Sequence, residues 1–259
     1  MAMPIRAALL AAVLLAPARG LWAQGGPPML TDDPGTPGPG RWELNFSTIF
    51  QRTPGVSDID LPYLDLNYGV GERLQITGQF FWDTERISGG TTVSGVGASV
   101  LGVKWRFFDD GDGTLQISTF PQATFLNPGS DVDRRGLASA DPGLLLPVEL
   151  EKDLGPVSAD LEFGRLLAPQ GRGDLLGVGG GWIAGLALGR DVVHGVELDA
   201  EVHVDTGPDS RQAEWVTAVG TRIDTSKNAT LLLSIGRDIR NTLSARTTLL
   251  VYAGLQVRI

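Results

Sequence analysis

The feature that most constrains this 259-residue chain is an alternation of apolar and polar residues in segments of about ten. From Trp42 to Phe50, apolar or small residues occupy every second position, and mostly polar residues lie between them. Because successive side chains of a strand point to opposite faces, each such segment predicts a strand with one apolar face. The twelve segments cover residues 42–50, 64–68, 74–82, 103–107, 115–125, 144–150, 157–163, 176–188, 196–204, 215–223, 231–235 and 249–259.

The links between these segments alternate in length, which distinguishes a membrane barrel from a soluble sandwich. The short links are 69–72, 109–113, 153–156, 189–195 and 225–228. The longer links are 51–59, 83–93, 127–141, 167–174, 206–212 and 238–244. Outer-membrane barrels have tight periplasmic turns and longer outer loops. We therefore predict an all-β fold, a transmembrane antiparallel up-and-down β-barrel of about twelve strands over residues 41–259.

The segment 175–189 is the one place where a helix competes with a strand, because it carries no charge. It contains six glycines, each of which costs about 1 kcal/mol in a helix relative to alanine. As a strand, it places Trp182, Leu186 and Leu188 on the apolar face and Gly181 and Gly185 on the other. Two interpretations of these glycines remain open: a bare lumen wall, or relief of crowding and curvature.

The N-terminus predicts export. Arg6, the apolar run 7–15 and the small residues before Gln24 are typical of a signal peptide over residues 1–23, although 16–18 offers a second cleavage site. Residues 24–40 form a Pro/Gly-rich leader, for which a linker into the first strand and an inward-folded plug are the two alternatives. Localisation in a bacterial outer membrane follows from export combined with the barrel pattern.

The composition excludes several classes of function. The formal net charge is −9 and becomes more negative by two without the signal peptide, so nucleic acid is not expected as a partner. The absence of cysteine excludes disulfides and thiolate metal sites. No Gly-x-Ser-x-Gly elbow occurs, and we expect no enzymatic activity, no catalytic residues, no cofactor and no metal.

Aromatic residues on the apolar face fall near the two ends of the strands, as in the girdles of membrane barrels. The predicted turn-side girdle comprises Trp42, Tyr68, Trp105 and Phe107. The predicted loop-side girdle comprises Phe50, Trp82, Phe125 and Trp215.

The polar faces of the strands carry charges that the barrel would direct into its lumen. An acidic wall is predicted from Glu149, Glu151, Asp160, Glu162, Glu197, Asp199, Glu201, His203 and Asp205. A basic side is predicted from Arg73, Lys104, Arg106 and Arg258. These charges either create a transverse field in an open channel or pair with one another across a plugged interior.

Two stretches carry a resemblance to known sequences. Residues 28–37, with the motif Thr31, Asp32, Asp33 and Pro34, followed by residues 40–45, resemble the opening of the meta-pathway phenol-degradation family of outer-membrane proteins. That resemblance implies a transporter-like barrel for small organic solutes, including aromatic ones. The chain end 252–259 resembles the C-terminal signal read by the barrel-assembly machinery, although Ile259 replaces the usual phenylalanine.

Two functions are therefore kept open: a channel for passive uptake of small organic solutes, and a closed structural barrel with a filled lumen. A barrel enzyme is the weaker third alternative. The expected partners are outer-membrane lipid, the barrel-assembly machinery and a small organic solute.

Overall fold

The computed structural model describes residues 26–125, 143–168, 180–208 and 210–259. The described chain folds into a single antiparallel sheet. Its strands are β1 (Trp42–Thr53), β2 (Val56–Gly69), β3 (Leu74–Ile87), β4 (Thr92–Val96), β5 (Ser99–Asp109), β6 (Leu115–Thr119), β7 (Gln122–Phe125), β8 (Gly143–Asp153), β9 (Ser158–Leu167), β10 (Trp182–Val193), β11 (Val196–Thr206), β12 (Ala213–Ser226), β13 (Ala229–Asn241) and β14 (Leu249–Arg258). No helix among the described residues is long and apolar enough to cross a membrane.

The fourteen described strand segments form twelve barrel strands. β4 and β5 both pair with β3 and are separated at Gly97 and Ala98. β6 and β7 both lie between β5 and β8 and are separated at Phe120 and Pro121. The prediction of a twelve-stranded antiparallel barrel is therefore confirmed.

The first and last strands close the sheet. Ten residue pairs join β1 to β14, from Glu43 opposite Arg258 to Arg52 opposite Leu249. The end of the barrel that contains Trp42 and Arg258 also contains the short turns, and we call it the turn end. The opposite end, which contains Thr53 and Leu249, is called the loop end. Pairing of the first strand with the last closes the wall, which is what a barrel in lipid requires.

The link predicted over residues 51–59 is wrong as a long loop. β1 and β2 continue to Thr53 and Val56, and the two residues Pro54 and Gly55 make the turn. Gly55 has a φ of 85°, which glycine adopts without the strain that a Cβ imposes. The sequence misled because these strand extensions carry polar residues on both faces. Outside the described residues lie the predicted link 127–141, residues 169–174 of the predicted link 167–174, glycines 177 and 179, and the signal peptide.

The two faces of the wall differ in character. Large apolar side chains such as Phe46, Val103 and Val219 are exposed on the outer face. The residues that alternate with them are buried in the interior and are mostly polar or charged. The interior is therefore packed with groups that need hydrogen-bond or ionic partners.

Candidate functional site

The lumen contains the segment before β1. Residues 26–37, which we call the N-terminal strap, contact inward-facing side chains of β5, β9, β11, β12 and β13. Within the strap, the Gly26 amide donates to the Thr31 carbonyl at 2.8 Å and the Met29 amide donates to the Gly26 carbonyl at 2.9 Å. The strap therefore enters the lumen as a compact turn followed by an extended stretch.

Two carboxylates hold the strap by its main chain. Glu201 of β11 accepts hydrogen bonds from the amides of Leu30 and Thr31, at 3.0 Å each. Glu162 of β9 accepts from the amide of Asp32 at 3.2 Å. Between these strands lies β10, whose inward positions carry Gly185, Ala187 and Gly189. The small residues on β10 leave a groove along the wall in which the strap lies. Glu162 and Glu201, on the two neighbouring strands, accept the hydrogen bonds that the strap donates.

Gly185 makes the space in which Thr31 fits. A Cβ at position 185 would lie 2.3 Å from Thr31 Oγ1 and 3.0 Å from Thr31 Cγ2. Thr31 itself is completely buried. A second contact of this kind joins β12 to the strap, because a Cβ at Gly220 would lie 2.1 Å from Met29 Cε. The glycines therefore form two notches in the lumen wall.

Arg222 of β12 links the start of the strap to two acidic strand residues. Its Nη1 donates to Asp199 Oδ1 at 2.9 Å and lies 3.5 Å from Glu197 Oε1. Its Nη2 donates to the Gly26 carbonyl at 3.0 Å. Ser234 of β13 donates to the Pro28 carbonyl at 2.8 Å. The planar guanidinium thus bridges wall and strap with several donors at once.

Lys104 of β5 holds the other part of the strap. Its Nζ lies 2.9 Å from Asp32 Oδ1, donates to the Asp33 carbonyl, and lies 3.7 Å from Glu149. It also lies 4.9 Å from the centre of the Phe120 ring, which adds a cation–π contact. Burial raises the pKa of the Asp33 carboxyl to about 6, although the nearby ammonium of Lys104 favours its charged form.

A wall with more amides than charges faces the strap from β1, β2 and β3. Asp65 accepts from the amides of Asn45 and Asn67 at 2.9 and 3.2 Å. Gln75 donates to Asn67 and to Thr77. Between this wall and the strap remains a polar cavity of about 70 Å³. A water molecule needs roughly 10–15 Å³ by the same measure, so the gap has room for a few waters.

The predicted acidic wall points inward but does not face open water. Glu149, Glu151, Asp160, Glu162, Glu197, Asp199, Glu201 and His203 are all buried. Asp205 is 41% exposed and lies 3.3 Å from His203 Nδ1. Glu162 and Glu201 contact the strap, Glu197 and Asp199 contact Arg222, and Glu149 contacts Lys104. This arrangement corresponds to the alternative in which the charges pair within a filled interior. Among the residues that the structure describes, no group of three or more His, Asp or Glu side chains could hold a metal ion.

The predicted basic side is only partly a lumen wall. Lys104 is buried within it, and Arg106 donates to Gln116 at 2.8 Å and to the Glu72 carbonyl at 2.9 Å. Arg73 lies outside the strands, in an exposed turn. A hydrogen bond from the Val70 amide to the Leu74 carbonyl closes this turn. Arg258 lies at the turn end, 3.1 Å from Glu43.

The residues of the N-terminal motif lie in the lumen, and the predicted girdle residues lie toward the two ends of the barrel. Thr31, Asp33 and Pro34 are buried in the lumen, and Asp32 bonds to Lys104. At the turn end, the Trp42 and Tyr68 rings lie 4.8 Å apart, and those of Trp105 and Phe107 lie 5.7 Å apart. Trp82 and Trp215 are exposed toward the loop end, and Phe50 and Phe125 are half-buried near that end.

Sequence reasoning missed Arg222, Met29 and Ser234. The alternation Val219, Thr221, Ile223 on β12 places Arg222 on the inward face, so the signal for a lumen cation was present. Its partners were not available from the same pattern, because they come from β11 and from the strap. Met29 and Ser234 carry no local signal that distinguishes them from other residues of their type.

No protein-family model matches the chain, and no curated protein matches its sequence. Similar structures do exist. The COG4313 outer membrane channel from Pseudomonas putida F1 has 15% identity and a TM-score of 0.68, with 91% of this chain and all of that chain covered. The KdgM porin has 8% identity and a TM-score of 0.57, covering 83% and 98%. The CymD monoaromatic hydrocarbon channel has 9% identity and a TM-score of 0.50, covering 86% and 89%. This chain therefore has the fold of outer-membrane barrel channels.

Proposed function

We propose that this protein is an outer-membrane channel for the passive uptake of small organic solutes. For a solute to pass, the strap must detach from its binding position on the lumen wall. The observation that carries the proposal is the way the lumen is filled. Discrete hydrogen bonds and ion pairs to an extended segment occupy it, whereas a small barrel of about eight strands is filled by its own side chains. Such a filling can be removed without unfolding the wall.

The size of the remaining cavity supports this proposal. Sites for small organic molecules have volumes of about 300–1,000 Å³. The gap beside the strap has about 70 Å³, well below that range. Passage of an organic solute thus requires the strap to move.

The solute class and location are parts of the same proposal. The resemblance of residues 28–37 and 40–45 to the phenol-degradation family supports small solutes that include aromatic ones. The CymD monoaromatic hydrocarbon channel, which has a similar fold, supports the same class. The proposed location is the outer membrane. It includes export by the signal peptide 1–23, insertion by the barrel-assembly machinery through the C-terminal segment, and a surrounding lipid bilayer. The turn end then faces the periplasm and the loop end faces outward.

A closed structural barrel is the second candidate. The buried pairs between Lys104 and Asp32 and between Arg222 and Asp199 favour it, because removing one partner of a buried pair costs about 3–5 kcal/mol. If the strap never leaves, these contacts only stiffen the barrel.

A disulfide that locks the strap separates the two candidates. The chain has no cysteine, and position 185 directly faces the Thr31 side chain. Thr31→Cys with Gly185→Cys is therefore the pair to oxidise, and a disulfide forms if its Cβ atoms can lie about 3.5–4.5 Å apart. Uptake of benzenesulfonate and of benzyltrimethylammonium into proteoliposomes should occur when the pair is reduced and stop when it is oxidised. The two single-cysteine variants control for the oxidant.

The outcomes are distinct. Equal uptake in the reduced and oxidised states would contradict strap movement. Absence of uptake in the wild type, the single variants and the reduced pair would favour the structural barrel.

A further inference from the structure

Three carboxylates lie together on the inward face of the wall, at the loop end of β2 and β3. Asp60 is directly opposite Asp83, and Asp58 is two residues from Asp60 on the same strand. Asp83 is 2% exposed, and one buried oxygen of Asp83 and one of Asp58 accept no hydrogen bond. Among the described residues, the inward positions beside the three carboxylates include no Lys or Arg and are Ile49, Gln51, Glu85, Val93 and Gly95.

The three carboxylates are also close to one another. The carboxyl groups of Asp58 and Asp83 are within hydrogen-bonding reach. Two ionised carboxylates at such a distance repel each other, and either a shared proton or a bound cation relieves the repulsion. An ammonium group can do so while its N–H groups donate to the free oxygens.

A β-bulge in β2 brings an aromatic ring beside the carboxylates. Asp60 and Tyr63 are three residues apart, so a regular strand would direct them to opposite faces. Pairing with β3 instead passes from Asp60 opposite Asp83 to Tyr63 opposite Phe81, and the pairing with β1 shifts at the same place. One extra residue is thus accommodated in β2, and both side chains face inward. Bulges frequently lie next to functional sites, where they redirect a side chain.

The two aromatic rings are held in fixed positions. Tyr63 and Phe81 stack with their ring centres 5.6 Å apart and their planes at 15°. The Tyr63 hydroxyl donates to Gln79 Oε1 at 3.0 Å. Phe81 lies over Gly97, where a Cβ would come within 1.9 Å of its Cε2. Because both rings are only half-buried, they offer an aromatic surface next to the carboxylates, on the side nearer the strap.

A carboxylate group beside an aromatic surface fits an organic ammonium ion. Carboxylates accept charge-assisted hydrogen bonds from ammonium groups, and the faces of aromatic rings attract cations and stack on other rings. Asp83 and Phe81 are two residues apart on β3, which is roughly 7 Å at about 3.3 Å per residue. A ring joined to an ammonium group by one or two carbons therefore reaches both the carboxylates and the aromatic pair.

We propose that the loop-end cluster, formed by Asp58, Asp60, Tyr63, Phe81 and Asp83, is an entry site for small aromatic ammonium ions. The ammonium group lies at Asp58 and Asp60, the ligand ring lies on Tyr63, and Asp83 adds negative potential from behind. The inference rests on the proposed function, because it names a solute class and the first site that a solute from outside meets. Binding at this site does not require the strap to move.

Binding of benzylammonium to the full mature protein tests this assignment. Equilibrium dialysis would compare the protein in lipid nanodiscs with empty nanodiscs, for benzylammonium and for uncharged benzyl alcohol. We expect saturable binding of benzylammonium and at least tenfold weaker binding of benzyl alcohol. Asp58→Asn with Asp60→Asn should weaken benzylammonium binding at least tenfold. Tyr63→Leu should weaken it as well, whereas Tyr63→Phe should retain it, because the ring remains.

The matched control is Glu72→Gln with Asp112→Asn, which removes the same charge from exposed turns at the opposite end of the barrel. That pair should leave binding unchanged. Equal weakening by both acidic pairs, equal binding of benzyl alcohol, no effect of Tyr63→Leu, or no saturable binding by the wild type would overturn the site. Heat-modifiable gel mobility identifies variants that fail to fold.

The binding and uptake measurements fail separately. Benzylammonium binding without any uptake would contradict the channel and leave the loop-end cluster intact. Uptake without saturable binding would contradict the cluster and leave the channel intact.

Discussion

At the scale of single residues, Gly185 is important because its missing side chain makes room for the strap. It lies on a wall strand between Glu162 and His203, in register with both. Its absent Cβ is the space that Thr31 fills. Threonine is stiff at χ1 and this one is fully buried, so it cannot turn aside. Of the two interpretations of the glycines, relief of crowding is therefore the one that fits this position.

We expect Gly185→Ala to unseat the strap, because the new methyl group would overlap Thr31 Oγ1. Planar-bilayer recordings should show higher mean conductance than wild type at the same voltage. Thr31→Ala removes both atoms that meet the methyl group, so the double variant should return toward the wild-type conductance. A conductance rise that Thr31→Ala fails to reverse would show that the methyl group acts through His203 or the wall instead.

At the scale of elements, the period-two pattern was sufficient to predict twelve barrel strands, because burial alternates wherever one face meets lipid. The pattern did not predict strands where the residues on both faces are polar. Residues 51–59 belong to a hairpin whose strands extend with polar residues on both faces, so they resemble a loop. The position of the strap was ambiguous for a related reason. An extended segment that is held through its backbone amides shows no periodic pattern of apolar residues. Its partner Glu201 is also 170 residues away from Thr31 in the sequence.

Lipid-facing strand positions predict a depth-dependent cost of charge. Val202 on β11 and Val219 on β12 are exposed on the outer face near mid-strand. Val202→Arg or Val219→Arg should lower the free energy of unfolding in liposomes by roughly 2–4 kcal/mol, as at the midplane of other barrels. Val196→Arg, at the turn end of β11, is the matched control and should cost about 0–1 kcal/mol. Denaturant titration that gives the same cost at all three positions would contradict the assigned membrane depth.

At the scale of the whole molecule, the lumen separates into a strongly acidic half and a half rich in amides, with the strap between them. While the strap is seated, Glu162 and Glu201 accept from its amides, and Lys104 and Arg222 are shared between wall and strap. A seated strap therefore hides most of the wall's charge. Selectivity should appear only once it leaves.

We expect the Gly185→Ala channel to prefer cations, because seven buried wall carboxylates outnumber Lys104 and Arg222. The reversal potential in a salt gradient measures that preference. Adding Glu197→Gln, Asp199→Asn and Glu201→Gln should reduce it, and so should salt near 1 M, where the screening length is about 3 Å. A reversal potential that the triple change does not alter would reject these carboxylates as the selectivity element.

The main-chain hydrogen bonds of Glu201 and Glu162 have a consequence for sequence divergence. Amides are common to all residues except proline, so the identities of Leu30 and Asp32 matter little to these two acceptors. The spacing matters more: Met29 and Thr31 must reach Gly220 and Gly185 together, and a one-residue insertion between them would bring only one into place. In related barrels, selection should therefore preserve the length of this stretch more strictly than its composition.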